Sequence, residues 1–464
     1  MRSLGYLPLL WLAGAAHAAE PAAPPTLDNL DRKVRFISLA EARAIALEQG
    51  TVGQPSLLFP GVRLDNLVTA PQGKSISPGH AQVVCKPGSK SLILTCVAPE
   101  IPPAELKRNI NQMLLNVETA YWNLYGSYWQ LNSREQALRF AYETWKITAA
   151  QYKVGRVSRA AVAQAEGQYN IFRGQRLAAI DTVLDNERQL RAMMGMKIKD
   201  GTRLVPSDAP TLVEKKPDWK KGLHSTMKKR PELEMARQDV KLASFEAAIT
   251  EGLAEYIPLS DGVREAKLQL ARASLVLHDQ ELKAERYLAL WYRRMSSAYF
   301  QIKAAKAQRE AFATQLQIRY ELYRAGANEP GSGKPVALSL LLEAQRYWAE
   351  ALATEYQAIV TYNNALVGWE YAKGDMMKHA HVRLVEKAPD DSDAVSAVQC
   401  EHKRTRQHVR HEAARKADSP LTVLGTCEND TKSAPSLPAL WKCHPPLKKV
   451  SDVQKGLVGG RVFD

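Results

Sequence analysis

The run LKRNINQMLLNVETAYWNLYGSYWQL, residues 106–131, belongs to the longest periodic segment of the chain's first half, residues 105–196. Apolar side chains recur there in steps of three and four, which is the period of one face of an α-helix. The period continues to Tyr152, is interrupted at Gly155-Arg-Val-Ser158, and resumes over 161–196. This pattern predicts two long antiparallel helices joined by a tight turn. A first helix of about 50 residues, at roughly 1.5 Å per residue, would be a rod about 75 Å long.

A second hairpin with the same features is predicted over residues 263–375. In both hairpins a tyrosine precedes a Tyr-x-x-Gly turn: Tyr121 precedes Tyr152, and Tyr299 precedes Tyr323. The spacings are 152 − 121 = 31 and 323 − 299 = 24 residues. They differ by one heptad, so both arms keep the same face inward. We interpret the two hairpins as a duplicated unit. The predicted fold class is therefore mainly α, with two long antiparallel α-helical hairpins.

The rest of the chain divides into shorter segments. Residues 1–18 have the pattern of a secretory signal peptide, because Arg2 precedes an apolar run that ends at a small-residue cleavage site. That run is too short to span a bilayer, and nothing later in the sequence predicts a transmembrane helix. A capping box formed by Ser38 and Glu41 predicts a short helix at 39–49. The signal peptide, 1–18, is followed by 19–104, which comprises a flexible lead, the short helix and an irregular segment with at most one or two weak strands at 81–98. The first hairpin, 105–196, is followed by a Pro-punctuated connector, 197–229, and by a helix, 230–254. The last predicted segments are a remnant of a strand hairpin, 255–262, the second hairpin, 263–375, and a basic tail that we expect to be disordered, 376–464.

The charge and cysteine content bound the function further. A net charge of +14 fits solvated Lys and Arg on exposed helix faces, or attraction to anionic lipid or nucleic acid. Export argues against a nucleic-acid partner. In an exported chain, five cysteines permit two disulfides and one leftover thiol, but the spacing leaves their connectivity open. The cysteines are Cys85, Cys96, Cys400, Cys427 and Cys443.

No group of residues in the sequence predicts an enzyme or a cofactor site. His402, His408 and His411 lie close to Cys400 and could bind a metal, but their spacing matches no compact zinc pattern. A solvated basic tail, or one that touches anionic lipid, is the alternative. The segment Gly331-Ser-Gly-Lys334 lacks the first glycine of a phosphate loop and follows a helix instead of a strand. We therefore predict no catalytic residue, no metal and no cofactor.

Several short motifs, in their order along the chain, resemble those of the TolC-type outer-membrane efflux family. The resemblance covers roughly 36–50 and 105–375. The motifs are Ser38-Leu-Ala-Glu-Ala-Arg-Ala-Ile-Ala-Leu47, Tyr152-x-x-Gly155-x-x-Ser158, Ala163-Gln-Ala-Glu166, Leu190-x-x-Met-Met-Gly195, Arg230-Pro-Glu-Leu-x-x-Ala236, Tyr256-Ile-Pro-Leu-x-Asp-Gly262 and Leu341-Leu-Glu-Ala-Gln345.

The resemblance implies a homotrimer whose long hairpins form a hollow helical barrel across the periplasm. It implies passive efflux at the cell outer membrane, in company with a periplasmic adaptor and an inner-membrane pump, with no nucleic acid and no chemistry by this chain. It also implies that the adaptor contacts the hairpin tips. In this sequence the tip residues are Tyr152, Gly155, Arg156, Val157 and Ser158 in the first hairpin, and Tyr323 and Gly326 in the second.

Two departures from the family pattern matter. The family has one strand hairpin after the opening helix and a second one after the Arg-Pro-Glu-Leu helix. In this chain the first of these places is occupied by 51–104, which has no sustained pattern. The second is occupied by 250–262, which is too short for two membrane strands of about 9–11 residues each. The sequence therefore predicts little or none of the family's β-barrel portion. The first tip is also basic, because Arg156 and Arg159 flank its turn. The alternative function is a periplasmic coiled-coil scaffold or adaptor-binding protein that conducts nothing.

Overall fold

The computed structural model describes residues 32–50, 81–85, 91–96, 103–197, 201–254, 260–326, 337–385 and 395–414. The predicted signal peptide, residues 255–259 and the tail after 414 lie outside these ranges. The elements in chain order are β1 (Lys33–Ile37), α1 (Leu39–Gln49), β2 (Ala81–Cys85), β3 (Leu92–Cys96), α2 (Pro103–Lys153), α3 (Arg159–Met193), β4 (Thr202–Pro206), α4 (Trp219–Lys229), α5 (Pro231–Ala254), α6 (Ser260–Ala325), α7 (Leu338–Ala372), α8 (Met376–His379), β5 (Val382–Val385), β6 (Val395–Ser396) and α9 (Ala397–Ala414).

Four long helices form two antiparallel hairpins that lie side by side. Helix α2 has 51 residues and pairs with α3, which has 35. Helix α6 has 66 residues and pairs with α7, which has 35. Helix α2 also packs along α7, which joins the two hairpins. The predicted mainly helical fold with two long hairpins and few strands is therefore confirmed.

The apolar faces predicted from the sequence form the contact between the hairpins. Phe172 of α3, Leu316 of α6 and Leu341 of α7 are buried in one cluster with residues of α2. Farther from the hairpin turns, Gly126 of α2 faces Val360 of α7. A Cβ at Gly126 would lie 2.6 Å from the Val360 Cγ2 atom, so the missing side chain lets the two helices approach closely.

A two-stranded parallel sheet packs against the middle of α2, away from the hairpin turns. Strand β1 pairs with β4, and Lys33 lies opposite Thr202. The Tyr121 hydroxyl of α2 accepts hydrogen bonds from the backbone N–H groups of Ser207 and Asp208, both at 3.1 Å, and donates to the Asp208 carboxylate at 2.6 Å. Burial and the nearby Asp208 charge raise the pKa of this phenol well above its ordinary value. Tyr121 therefore ties α2 to the end of β4.

A buried ion pair connects α1 to α2. Glu118 of α2 is fully buried and lies 2.6 Å from the Arg43 guanidinium of α1, and the His379 ring of α8 is 3.6 Å away. Burial by itself would raise the pKa of the Glu118 carboxyl, but Arg43 and His379 outweigh it and hold the pKa below its ordinary value.

The prediction that 376–464 is disordered is wrong for residues 376–385 and 395–414. Strands β2 and β3 form an antiparallel pair, β5 adds to β3, β6 adds to β2, and the spatial order is β5-β3-β2-β6. A disulfide between Cys85 of β2 and Cys400 of α9 fastens this sheet to the C-terminal helix. Strands β2 and β3 lie within 81–98, where the sequence allowed one or two weak strands in the irregular segment. Segments about 300 residues apart pair here, so no local period reveals them.

Smaller predictions are also corrected. Strand β1 begins at Lys33, inside the segment predicted as a flexible lead. The connector 197–229 contains β4 and α4, and α4 is capped by the Asp218 side chain. Residues 260–262 begin helix α6 and are not a strand remnant. In the described parts of the chain, no helix has both the length and the apolar character needed to cross a membrane.

Candidate functional site: the paired hairpin tips

The first tip, residues 152–158, is a helix end followed by a helix start. Gly155 has a φ of +72°, and its N–H donates to the Tyr152 carbonyl at 2.9 Å. The Arg156 N–H donates to the Gln151 carbonyl at 2.9 Å, which completes a Schellman motif. The Ser158 side chain then accepts from the Ala161 N–H and caps α3. Left-handed backbone at Gly155 and the serine cap are the reasons that this short sequence reverses the chain.

The second tip, residues 323–326, ends in the same way. Gly326 has a φ of +66°, and its N–H donates to the Tyr323 carbonyl at 3.2 Å. The remainder of this turn, 327–336, lies outside the described residues. Both Tyr-x-x-Gly sequences therefore end a helix with glycine in the left-handed region, as their common pattern indicates.

The structure brings the two tips together. The Tyr323 hydroxyl of α6 lies 2.8 Å from the Thr148 hydroxyl of α2, and Thr148 in turn donates to the Thr144 carbonyl. A guanidinium nitrogen of Arg156 lies 3.9 Å from the place that a Cβ on Gly326 would occupy. Residues from the two copies of the repeat thus form one continuous end surface.

One turn above the tips, polar side chains continue this contact. The Gln345 amide of α7 donates to the Thr144 hydroxyl at 2.7 Å, and Gln345 is fully buried. The Tyr320 hydroxyl donates to the Glu143 carboxylate at 2.9 Å. Burial, together with the Glu143 charge, raises the pKa of Tyr320. Burial also raises the pKa of Tyr323, although its hydrogen bond with Thr148 acts in the other direction. Both phenols therefore remain neutral donors at physiological pH.

The predicted tip residues differ in how accessible they are. Tyr152 is 46% exposed, whereas Tyr323 is only 6% exposed because its ring lies between the hairpins. Gly155, Arg156, Ser158 and Gly326 are exposed, and Val157 is half-buried. The sequence analysis missed Val154, which is 68% exposed. Its position within Tyr-x-x-Gly, directly before the glycine, is the signal that could have found it.

The surface of the paired tips is basic. Residues 146–165 contain Lys146, Lys153, Arg156 and Arg159 and no acidic residue. Arg324 adds an exposed cation from the second tip. Such a surface attracts acidic partners and repels basic ones.

The histidine-rich segment does not form a metal site in the described part of the chain. Cys400 is in the disulfide with Cys85, and the His402 ring nitrogen Nδ1 lies 2.8 Å from a Glu41 carboxylate oxygen. His408 is exposed. Among the described residues no group of three or more potential ligands lies close enough to hold a metal.

The arrangement of four long helices is the fold of TolC-type outer-membrane channels, as the sequence motifs suggested. The outer-membrane channel OprN superposes with a TM-score of 0.52 at 15% identity, over 59% of this chain and 68% of OprN. CusC gives a TM-score of 0.51 at 15% identity, over 58% of this chain and 70% of CusC. A membrane protein from Pseudomonas aeruginosa gives 0.50 at 13% identity, over 58% of this chain and 72% of its own. No protein-family profile and no curated protein matches the sequence.

Proposed function

We propose that this chain is a non-enzymatic subunit of a TolC-type efflux assembly, exported through its signal peptide and acting passively at the outer membrane. The observation that carries the proposal is the pair of side-by-side hairpins whose two tips form one end surface. Long rods that end together suit a protein that spans a distance and presents its ends to a partner. The disulfide between Cys85 and Cys400 also suits an oxidising compartment such as the periplasm.

The tips are the proposed contact with a periplasmic adaptor, which in turn joins an inner-membrane pump. Tyr323 and Thr148 lock the two tips to each other, and this leaves Tyr152, Val154 and Arg156 directed outward. An apolar and basic end surface favours an adaptor whose contacting loop carries apolar and acidic residues.

A homotrimer is the proposed assembly. Helix α5 carries Leu242, Phe245 and Ile249 on one face, and these are 62%, 66% and 46% exposed. The opposite face of α5 carries the buried residues Ala243 and Ala247. The larger apolar side chains thus face away from the chain. An apolar stripe of this kind marks a contact surface, and a copy of the chain is the proposed occupant.

Adaptor contact is tested by placing a photo-crosslinking residue at Val154 in the full-length chain, expressed with its signal peptide. The matched control carries the same residue at Val213, which is 75% exposed and lies away from the tips. We expect position 154 to crosslink to a protein that mass spectrometry identifies as a periplasmic adaptor, and position 213 not to. Equal crosslinking from both positions, or none from 154, would refute the tip contact.

The alternative is a periplasmic scaffold that conducts nothing. It is favoured by the pairing of β2 and β3 with β5 and β6 of the chain's own C-terminal segment, which the disulfide fastens in place. Membrane fractionation and planar-bilayer recordings distinguish the two functions. A heat-resistant trimer in detergent-extracted outer membrane, with conductance after purification, supports the channel. A soluble periplasmic species without conductance supports the scaffold and overturns the channel.

A further inference from the structure

A basic groove lies between strand β1 and helix α9, well away from the hairpin tips. Its volume is about 550 Å³, within the range of roughly 300–1,000 Å³ that is usual for small-molecule sites. Three apolar side chains line it: Val34 and Phe36 from β1, and Val409 from α9. Nothing in the proposed channel function uses this groove.

Three basic side chains line the groove and have no ion-pair partner among the described residues. Lys33 of β1 and Arg406 and Arg410 of α9 line it and are exposed, and none of them forms an ion pair with any other described residue. No aspartate or glutamate is among the described residues that line it. Like charges gathered on a concave surface raise the local potential and attract an anion.

Two further basic residues in the wall, Arg35 and His402, already contact a buried carboxylate. The Arg35 guanidinium lies 3.1 Å from the Glu41 carboxylate, and the His402 ring lies 2.8 Å from the same carboxylate oxygen. Glu41 is fully buried behind them. Because Arg35 and His402 are already engaged with Glu41, an incoming anion would meet Lys33, Arg406 and Arg410.

We propose that this groove binds an anionic amphiphile, a molecule with an apolar body and a phosphate or carboxylate head. The head would lie against Arg406, Arg410 and Lys33, since guanidinium and ammonium groups make strong charge-assisted hydrogen bonds to such oxyanions. The apolar body would cover Val34, Phe36 and Val409, and removing this surface from water favours binding. The apolar lining is the reason to favour an amphiphile over a simple ion.

The chain's own terminal segments fit the groove less well. Residues 415–464 contain eight basic and five acidic residues, a net charge of 8 − 5 = +3, which is the wrong sign. Residues 19–31 carry three acidic residues and no basic one, so their charge matches the rim. Only Leu27 and Leu30 among them are large and apolar, so this segment matches the lining poorly.

The proposal is tested by isothermal titration of the purified full chain in a non-ionic detergent. The probes are lauroyl lysophosphatidylglycerol, the zwitterionic lysophosphatidylcholine with the same acyl chain, and inorganic phosphate. We expect saturable 1:1 binding of the anionic lipid, with the other two probes at least tenfold weaker. Shortening the acyl chain by two methylenes should weaken binding roughly tenfold, since each buried methylene contributes about 0.8 kcal/mol.

Variants assign the binding to the groove. The double variant Arg406→Gln/Arg410→Gln should bind the anionic lipid at least tenfold more weakly with an unchanged circular dichroism spectrum. The control Lys403→Gln/Lys220→Gln removes the same charge from exposed positions outside the groove and should bind as the unaltered chain does. The variant Val409→Asn should weaken lipid binding without changing phosphate binding.

Four outcomes would overturn the proposal. They are equal affinity for the two lipids, affinity for phosphate as high as for the anionic lipid, equal losses in the groove and control variants, and lipid binding that is seen only after residues 19–31 are removed. The last outcome would assign the groove to the chain's own acidic segment.

Discussion

Removing one hydroxyl group should loosen the contact between the two hairpin tips. Tyr323 donates to Thr148 at 2.8 Å in a buried setting, and Thr148 keeps its own bond to the Thr144 carbonyl. The variant Tyr323→Phe therefore deletes one buried hydrogen bond without leaving the threonine donor unpaired. We expect it to lower the free energy of unfolding by about 1 kcal/mol.

Substitution of the hydrogen-bond partner, Thr148, should lower the free energy of unfolding by a larger amount. Thr148→Val leaves the Tyr323 hydroxyl buried with no acceptor, and an unsatisfied buried donor costs about 1–3 kcal/mol. In the double variant neither partner remains, so its loss should fall short of the sum of the single losses by about 0.5–1.5 kcal/mol. Urea denaturation followed by circular dichroism measures all three values.

The first hairpin supplies the matched control. Tyr152 occupies the same place in the repeated Tyr-x-x-Gly pattern, but its side chain is 46% exposed and its hydroxyl makes no hydrogen bond to another described residue. Tyr152→Phe should change the free energy of unfolding by less than about 0.5 kcal/mol. Hydrogen exchange of the backbone at the tips should be faster in Tyr323→Phe and unchanged in Tyr152→Phe. Equal effects of the two variants, or no effect of Tyr323→Phe, would refute the clamp between the tips.

Three further predictions follow from the glycines, the buried ion pair and the disulfide. Gly155→Ala should destabilise the chain by about 1–2 kcal/mol because φ is +72° at that position. Gly167 has the same free space around it but lies inside helix α3, so Gly167→Ala should stabilise the chain by about 1 kcal/mol. If urea denaturation gave the same sign for both variants, this prediction would be contradicted. Glu118→Gln should lose about 3–5 kcal/mol at pH 7 because it leaves a buried guanidinium unpaired. Folding lowers the pKa of Glu118 from 4.5, so the stabilisation by its carboxylate is present above pH 4.5 and is lost as the pH falls through the pKa of the folded state. The free energies of unfolding of the unaltered chain and of Glu118→Gln should therefore converge in acid. If they stayed parallel at all pH values, the ion pair would not be the cause of the difference. The double variant Cys85→Ser/Cys400→Ser removes a disulfide between residues 315 positions apart and should lose about 2–5 kcal/mol of stability under oxidising conditions. Once both proteins are reduced, the variant and the unaltered chain should be equally stable. A difference that persists after reduction would indicate that the cysteine side chains stabilise the chain by packing.

The long helices and their turns could be predicted from the sequence because their determinants are local. The apolar residues between Leu106 and Leu131 recur at helical spacing. The predicted rod of about 50 residues corresponds to helix α2, which has 51 residues. Gly155 and Gly326 end their helices with positive φ, as the repeated Tyr-x-x-Gly pattern indicates. Helical hydrogen bonds join residues four apart, so a short stretch contains all the information that the element needs.

The strands and the ordered C-terminal segment could not be predicted in the same way. Strand β1 pairs with β4, which follows about 170 residues later. Strands β2 and β3 are flanked by β5 and β6 from the far end of the chain. Five-residue strands carry almost no periodicity of their own, and most of the information about their pairing lies in the partner strand.

The candidate site shows the same division within a single motif. That Tyr152 and Tyr323 each precede a helix-ending glycine follows from the local sequence, because this geometry depends on neighbours within five residues. The burial of Tyr323 against Thr148, the exposure of Tyr152 and the pairing of Cys85 with Cys400 follow from tertiary packing. Those outcomes depend on which surfaces of distant helices meet when the hairpins pack together, and residue spacing along one chain does not specify such contacts.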